Sequence, residues 1–463
     1  MSLIQIAWRN FCHRALSSSL TTLSLALGVG LVVLVLSIYG VVSEAFTRNA
    51  SVGYNLVVGP EGSKLQLTLN SVYYLSQPIE NLPYTFYMEF FDQPTRAAMV
   101  EKFGGDPRLA QRDGKYAPYI AGGYAIPLAL GDYYSEFRVV GTTPAFFEYL
   151  RHGPDVDQPF SMSDGRAFVD YSDENEYYEA VLGSRVAKQM GVQVGDSFFP
   201  THGDPDGKGH ADEFKVVGVL NPTGTPNDRA AFINLEGFYL MEGHAKPIEE
   251  ESNICPECGQ EQPVNTELLE LENDDNPLLS IPEREVTAIL CRNGNIMFAP
   301  VMQNMINESG DAMAAAPIGE INKLMDQFVQ PLIQVLLGIT LITCIVAAVG
   351  ILVAIYNSMN DRRRDIAVMR ALGARRDTVT TIIIFESLLI AIIGAIAGWM
   401  LAHLAIELAS GMIEDNTGVQ VGFFSTSSYE FTVLPFVLVL ALIAALLPAW
   451  TAYRTDVGSN LAA

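Results

Sequence analysis

The chain has 463 residues, a formal net charge of −24 and a charged content of 17%, against roughly 25% in ordinary soluble domains. So acidic a chain lacks the basic surface of a nucleic-acid binder, and its 49% apolar content argues against wholesale disorder. The charge is unevenly spread: four stretches of about 20 residues, the length a bilayer crossing needs, carry almost none.

In chain order, the first stretch is residues 20–42, preceded by Arg9 and Arg14. A secretory signal peptide also begins with positive charge before an apolar run, and residues 43–45 (SEA) loosely resemble a cleavage site. Its apolar core usually holds about 7–15 residues, so the greater length here favours an uncleaved anchor.

Residues 46–328 follow, with 19 Lys and Arg against 42 Asp and Glu, nearly the whole net charge. Short apolar runs at 55–58, 137–140, 214–220 and 231–234 predict strands, most of them closed by Gly, Asn or Pro. Residues 181–199 predict a helix stopped at Gly191, then a turn at Gly195 and Asp196 into a strand. Residues 295–308 predict a helix carrying Ile296, Phe298, Val301, Met305 and Ile306. Two stretches predict irregular inserts: 202–212, rich in Gly, Asp and Pro, and the acidic 243–284.

No enzyme constellation stands out in this segment. His152, His202, His210 and His244 fall in predicted loops without HExxH spacing. Gly207 and Lys208 are followed by Gly209, not by the Ser or Thr of a phosphate-binding loop, so any ATP must be bound by another chain. Cys255 and Cys258, two residues apart, resemble half of a zinc ribbon and are weak metal candidates. A closed zinc site takes four ligands, and the chain has no second CxxC. His244 and Cys291 could complete a set on paper; a local or interchain disulfide is the other reading.

Residues 332–356, 382–406 and 431–450 are the remaining predicted spans. Arg362, Arg363, Arg364, Arg370, Arg375 and Arg376 lie between the second and third, and Arg454 follows the fourth, whereas 407–430 holds no Lys or Arg. The positive-inside rule then places both termini and the Arg-rich loop in the cytoplasm, and 46–328 outside it. Glu386, about one turn inside the third span, is a functional candidate by default, with helix packing as the alternative. Gly394, Ala395, Ala397 and Gly398 would permit close helix approach.

Residues 357–376 (NSMNDRRRDIAVMRALGARR) predict a short amphipathic helix, with Ile366, Met369 and Leu372 on one face, arginines on another, and Gly373 as its stop. This segment resembles the coupling region of FtsX-like permeases, the superfamily of MacB-type exporters and lipoprotein-releasing Lol permeases. The resemblance extends to 6–10 (IAWRN), 20–24 (LTTLS), 181–196 (VLGSRVAKQMGVQVGD), 214–219 (FKVVGV), 385–387 (FES) with Gly394 and Gly398, and 448–456. The 243–284 insert departs from the common pattern.

The resemblance implies a membrane α-helical fold with four transmembrane helices and a large α+β extracytoplasmic domain inserted between helices 1 and 2. Its parts would be a cytoplasmic lead-in and first span (1–45), a MacB-like core domain (46–328), and three spans (329–463) with a coupling loop at 357–378. It implies a multi-pass, non-catalytic permease subunit of the bacterial inner membrane that binds no cofactor itself. A cytoplasmic ABC ATPase, holding ATP and magnesium, would dock on Arg362, Arg363, Arg364, Ile366, Met369, Arg370, Leu372 and Gly373. The chain would pair with a second copy or a paralogue, and meet lipid and a periplasmic adaptor or lipoprotein. ATP hydrolysis would then move the outer domain, for export or for lipoprotein or envelope substrate handling. The alternatives are an actuator of an envelope hydrolase, or a membrane-anchored sensor or adhesion ectodomain.

Overall fold

The computed structural model describes residues 3–13, 15–49, 52–153, 156–203, 205, 207, 209–246, 278–361, 375–417 and 421–454. The chain forms two compact units, Met1–Ala45 together with Met325–Ala463, and Phe46–Leu324. It opens with α1 (Leu3–His13) and α2 (Ala15–Asn49). From Ala15 to Ser43, α2 holds no Asp, Glu, Lys or Arg. A long helix that is apolar all round suits hydrocarbon on its free faces, not water.

The second unit is α+β. The strands of its main sheet are β1 (Leu56–Gly59), β2 (Tyr124–Tyr134), β3 (Phe137–Thr142), β4 (Met162–Gly165), β5 (Glu179–Leu182), β6 (Ser197–Phe198), β7 (Thr201–His202), β8 (Phe214–Leu220), β9 (Ala230–Asn234), β10 (Ala288–Arg292) and β11 (Met313–Ala315). They join one mixed sheet in the order β11-β1-β10-β2-β3-β9-β5-β8-β4, with β7 paired to β2 and β6 to β8. The pairs β3–β9 and β5–β8 are parallel. The helices used below are α3 (Ser184–Met190), α4 (Leu235–Leu240) and α5 (Ala299–Ser309). Gly191 ends α3 at φ 68°, a left-handed position that a Cβ would disfavour.

Among the described residues, two apolar clusters hold much of this unit. One joins Leu56 and Val58 of β1, Ile289 and Cys291 of β10, and Met302 and Ile306 of α5. The other joins Phe137 and Val139 of β3, Ala180 and Leu182 of β5, Val186 of α3, Phe214 and Val216 of β8, and Phe238 of α4. β2, absent from the sequence prediction, gives Ala125 to the first and Ala129 to the second, and so ties them together. The predicted strands at 55–58, 137–140, 214–220 and 231–234 correspond to β1, β3, β8 and β9. The acidic stretch 243–284 ends in core, because Ile281 and Arg284 are fully buried. Arg284 pairs with Glu236, and its guanidinium lies 3.7 Å from the Phe103 ring centre.

Glu179 of β5 is fully buried and receives both Arg166 Nη2 and Nη1, at 2.6 and 2.8 Å, and Asn175 Nδ2 at 3.1 Å. Burial alone would raise its pKa, but the hydrogen bonds and the Arg166 charge outweigh that and hold it below its ordinary value of 4.5.

The chain leaves the unit through α6 (Pro317–Leu324) and a π-helical turn at Met325–Val329, then α7 (Gln330–Asp361), α8 (Arg376–Thr417) and α9 (Val433–Arg454). Among the described residues, three helical stretches are long and apolar enough to cross a membrane: Ser18–Phe46, Pro317–Gly350 and Asp377–Ile413. A shorter apolar stretch, Glu430–Leu446, spans most of α9. α2 and α8 meet at glycines, as expected from Gly394 and Gly398. A Cβ at Gly398 would lie 2.5 Å from the Ala26 carbonyl oxygen, and one at Gly394 would lie 2.9 Å from the Leu25 side chain.

Two predictions follow from this packing. Because folding depresses the Glu179 pKa, its contribution is full above the unfolded value and is lost as pH falls through the folded one. Melting curves from pH 7 down to pH 3 should therefore fall less steeply for Glu179→Gln than for the parent; parallel curves would remove Glu179 from the acid transition. Gly398→Val should cost about 1–3 kcal/mol or more by overpacking against backbone that cannot retreat. A detergent melting point equal to that of the parent would show the crossing to be loose.

Candidate functional site in the membrane unit

Polar side chains buried among membrane helices are costly unless they satisfy one another. The described part of this unit gathers such a group from three elements. α8 supplies Trp399 and His403, four residues apart and so on one helical face. α2 supplies Ser37, which is 1% exposed, and the turn before α9 supplies Glu430.

Glu430 is the centre. Its Oε1 accepts Ser37 Oγ at 2.5 Å and the Ser427 backbone N–H at 2.8 Å. Its Oε2 lies 3.0 Å from His403 Nε2 and accepts Trp399 Nε1 at 3.2 Å. The bond to Ser427 is half of a capping box, the side chain reaching back to the backbone N–H at a helix start. His403 is fully buried, its Nδ1 has no hydrogen-bond partner among the described residues, and its Nε2 faces a carboxylate, which as an acceptor calls for a proton on Nε2. Four donors on one carboxylate make this a clasp that fixes the α8–α9 turn to α2.

The sequence-predicted residues fare unequally. Arg362, Arg363, Arg364, Ile366, Met369, Arg370, Leu372 and Gly373 lie outside the described residues, as do Cys255 and Cys258. Arg375, just before α8, is exposed, and its carbonyl accepts Thr378 N–H at 3.1 Å. Glu386 is buried in α8 beside Ser387, whose hydroxyl donates to the Ile383 carbonyl at 3.1 Å. Neither Glu430 nor His403 stands out in the sequence. Their pairing across 27 residues depends on how the 407–430 segment returns.

The paper combination of His244 with Cys291 is corrected. Cys291 sits in the β1–β10–α5 core, where burial pushes its thiol pKa up. His244 instead lies against Asp132 together with His202 and His210, side chains that had been read as scattered. His152 packs separately, on Phe160.

Replacing Glu430 with Gln would turn an acceptor-only group towards donors and leave one or more N–H groups unpaired. Glu430→Gln should cost about 1–3 kcal/mol in detergent unfolding, and Ser37→Ala less. Equal melting of Glu430→Gln and the parent would contradict the clasp.

Comparisons with known proteins agree with this architecture. Residues 18–253, more than half of the chain, match the MacB-like periplasmic core domain, and residues 337–457 match the FtsX-like permease C-terminal domain. A segment of 112 residues is 29% identical to an uncharacterized ABC transporter permease of Methanocaldococcus jannaschii. That segment covers 24% of this chain and 28% of the relative, so the match spans well under half of either protein. With both family regions present in this order, the chain belongs to the FtsX/MacB-type family of ABC transporter permeases.

Proposed function

We propose that this chain is the non-catalytic membrane subunit of an ABC transporter that turns ATP hydrolysis on a partner chain into movement of its α+β unit. The observation that carries this reading is helical backbone at both chain crossings between the units. α2 continues to Asn49, beyond the boundary at Ala45, and α6, the π turn and α7 run on from Pro317. A helix carries a push that a loop would absorb, and the π turn with Pro331 is where the second of these helices can bend. Single-turn π segments often mark functional sites within helices, and this one begins at the boundary residue Met325.

The reading includes four spans, with α9 as the fourth. Its 22 residues give about 33 Å at 1.5 Å per residue, enough for the hydrocarbon core. α7 exposes Leu332, Val335, Ile339, Ile342 and Val346, a surface suited to lipid. The arginine distribution supports cytoplasmic termini in an inner membrane. An ABC ATPase carrying ATP and magnesium docks on the 362–376 loop, and two permease chains, identical or paralogous, complete the assembly. Export or lipoprotein and envelope substrate handling is the task this arrangement serves.

The coupling loop supplies the test. Met369→Asp with Leu372→Asp places charge on the apolar face that would meet the ATPase. Burying such a charge without a partner costs about 3–5 kcal/mol, enough to weaken association more than about a hundredfold. Membrane insertion should survive while co-purification with the ATPase and ATP turnover both fall. Normal insertion with full ATPase binding and turnover would reduce the arginines to topology signals.

A further inference from the structure

The α+β unit holds a second polar group, made of Asp132, His210 and His244 in the interior and the exposed His202 at its edge. It draws on three separate pieces of chain. Asp132 sits near the end of β2, where pairing with β3 slips between Leu130 and Tyr133. Such a bulge re-aims side chains. His202 lies directly opposite Asp132 in the β7–β2 pairing, and so on the same face. The chain then turns back: Thr201 bridges Gly209, and His210 N–H donates to the Pro200 carbonyl at 2.9 Å. This hairpin brings His210 alongside His202. His244 follows α4, and its ring packs on Phe238 at 4.3 Å between centres.

Their donor atoms converge. Asp132 Oδ2 is 3.2 Å from His210 Nε2 and 3.1 Å from His244 Nε2, and Oδ1 is 3.3 Å from His202 Nδ1. The two Nε2 atoms are 3.3 Å apart. Nitrogen and oxygen ligands at about 2.0–2.1 Å in a tetrahedron stand about 3.3–3.4 Å from one another. The remaining separations stay within 4.8 Å, which a rotation of the half-exposed His202 would close.

A second observation separates this from an ordinary ion-pair cluster. Asp132 is fully buried, yet neither of its carboxylate oxygens accepts a hydrogen bond from any of the described residues. His210 Nε2 and His244 Nε2 lie within hydrogen-bond distance of each other, and the carboxylate beside them is left without a donor. A buried, unsatisfied carboxylate is costly, and a cation among these atoms would satisfy it.

We propose that Asp132, His202, His210 and His244 bind one zinc ion. Three imidazoles and a carboxylate are borderline ligands suited to zinc, and a tetrahedral spacing disfavours copper(II), which prefers a tetragonal set. Ligation would cross-link β2, the 200–210 hairpin and the segment after α4. It would thereby anchor the root of the acidic excursion, where Lys246 N–H also donates to the Glu283 carbonyl at 2.9 Å. The exposed edge of His202 gives the ion its way in.

The test uses the full chain in detergent, stripped with a chelator and returned to zinc chloride alone. The parent should take up about one zinc per chain and melt at a higher temperature when loaded. Asp132→Asn and the double variant His210→Ala with His244→Ala should lose both effects. Cys255→Ser with Cys258→Ser should keep them. Cobalt(II) in the parent should give the intense visible bands of a four-coordinate site without a thiolate charge-transfer band, a result that needs no variant to fold. His202→Gln, at a largely exposed position, should weaken binding and change that spectrum. No zinc uptake by the stripped parent, a thiolate band, or loss of zinc on removing the cysteines but not the histidines would each overturn the proposal.

Discussion

The membrane unit depends on how closely α2 and α8 approach. Between helices in lipid there is no water to expel, so association rests on contact between surfaces. Gly30 and Gly398 allow backbone to meet backbone, and a Cβ at Gly30 would lie 3.1 Å from the Gly398 carbonyl oxygen. That approach lets Leu25, Val29 and Val33 of α2 share a core with Ile390, Ala391 and Ala395 of α8 and with Val437 and Ala441 of α9. Further along the same pair of helices, Ser37 and His403 come close enough to hold one carboxylate. The glycine contact and the Glu430 clasp are two parts of one crossing.

The α+β unit uses charge in a different way. Its buried ions are mostly paired directly: Arg284 with Glu236, Arg166 with Glu179, and Arg96 with Glu89. Such pairs hold segments in place more than they stabilise the fold, because desolvation offsets much of their attraction. Arg284 shows the placing role, since it joins α4 to the residues that lead into β10. Asp132 differs from these pairs: it is a buried carboxylate that none of the described imidazoles beside it donates to. That difference is why the cluster carries a functional meaning.

Much of the candidate chemistry was hidden in the sequence for a simple reason. Residue pairs such as Glu430 with His403, or Asp132 with His244, share no spacing that a helix or strand would impose. The 202–212 stretch predicted only an irregular insert, because Gly and Pro mark a turn without saying what it faces. β2 was missed because Pro127 and Gly131 interrupt its apolar run, although they sit within a strand held on both sides by β10 and β3.

The sequence by itself determined the apolar stretches, the family resemblance, the strands β1, β3, β8 and β9 of the α+β unit and the small residues of the α2–α8 contact. These are readable because hydrophobic length, alternation and side-chain size act locally along a chain. Tertiary structure alone decided which buried polar atoms meet. A strand bulge, a hairpin register and the return of a loop place Asp132 among three histidines, and Glu430 among Ser37, Trp399 and His403. Such convergence depends on angles accumulated over tens of residues, and no local pattern encodes them.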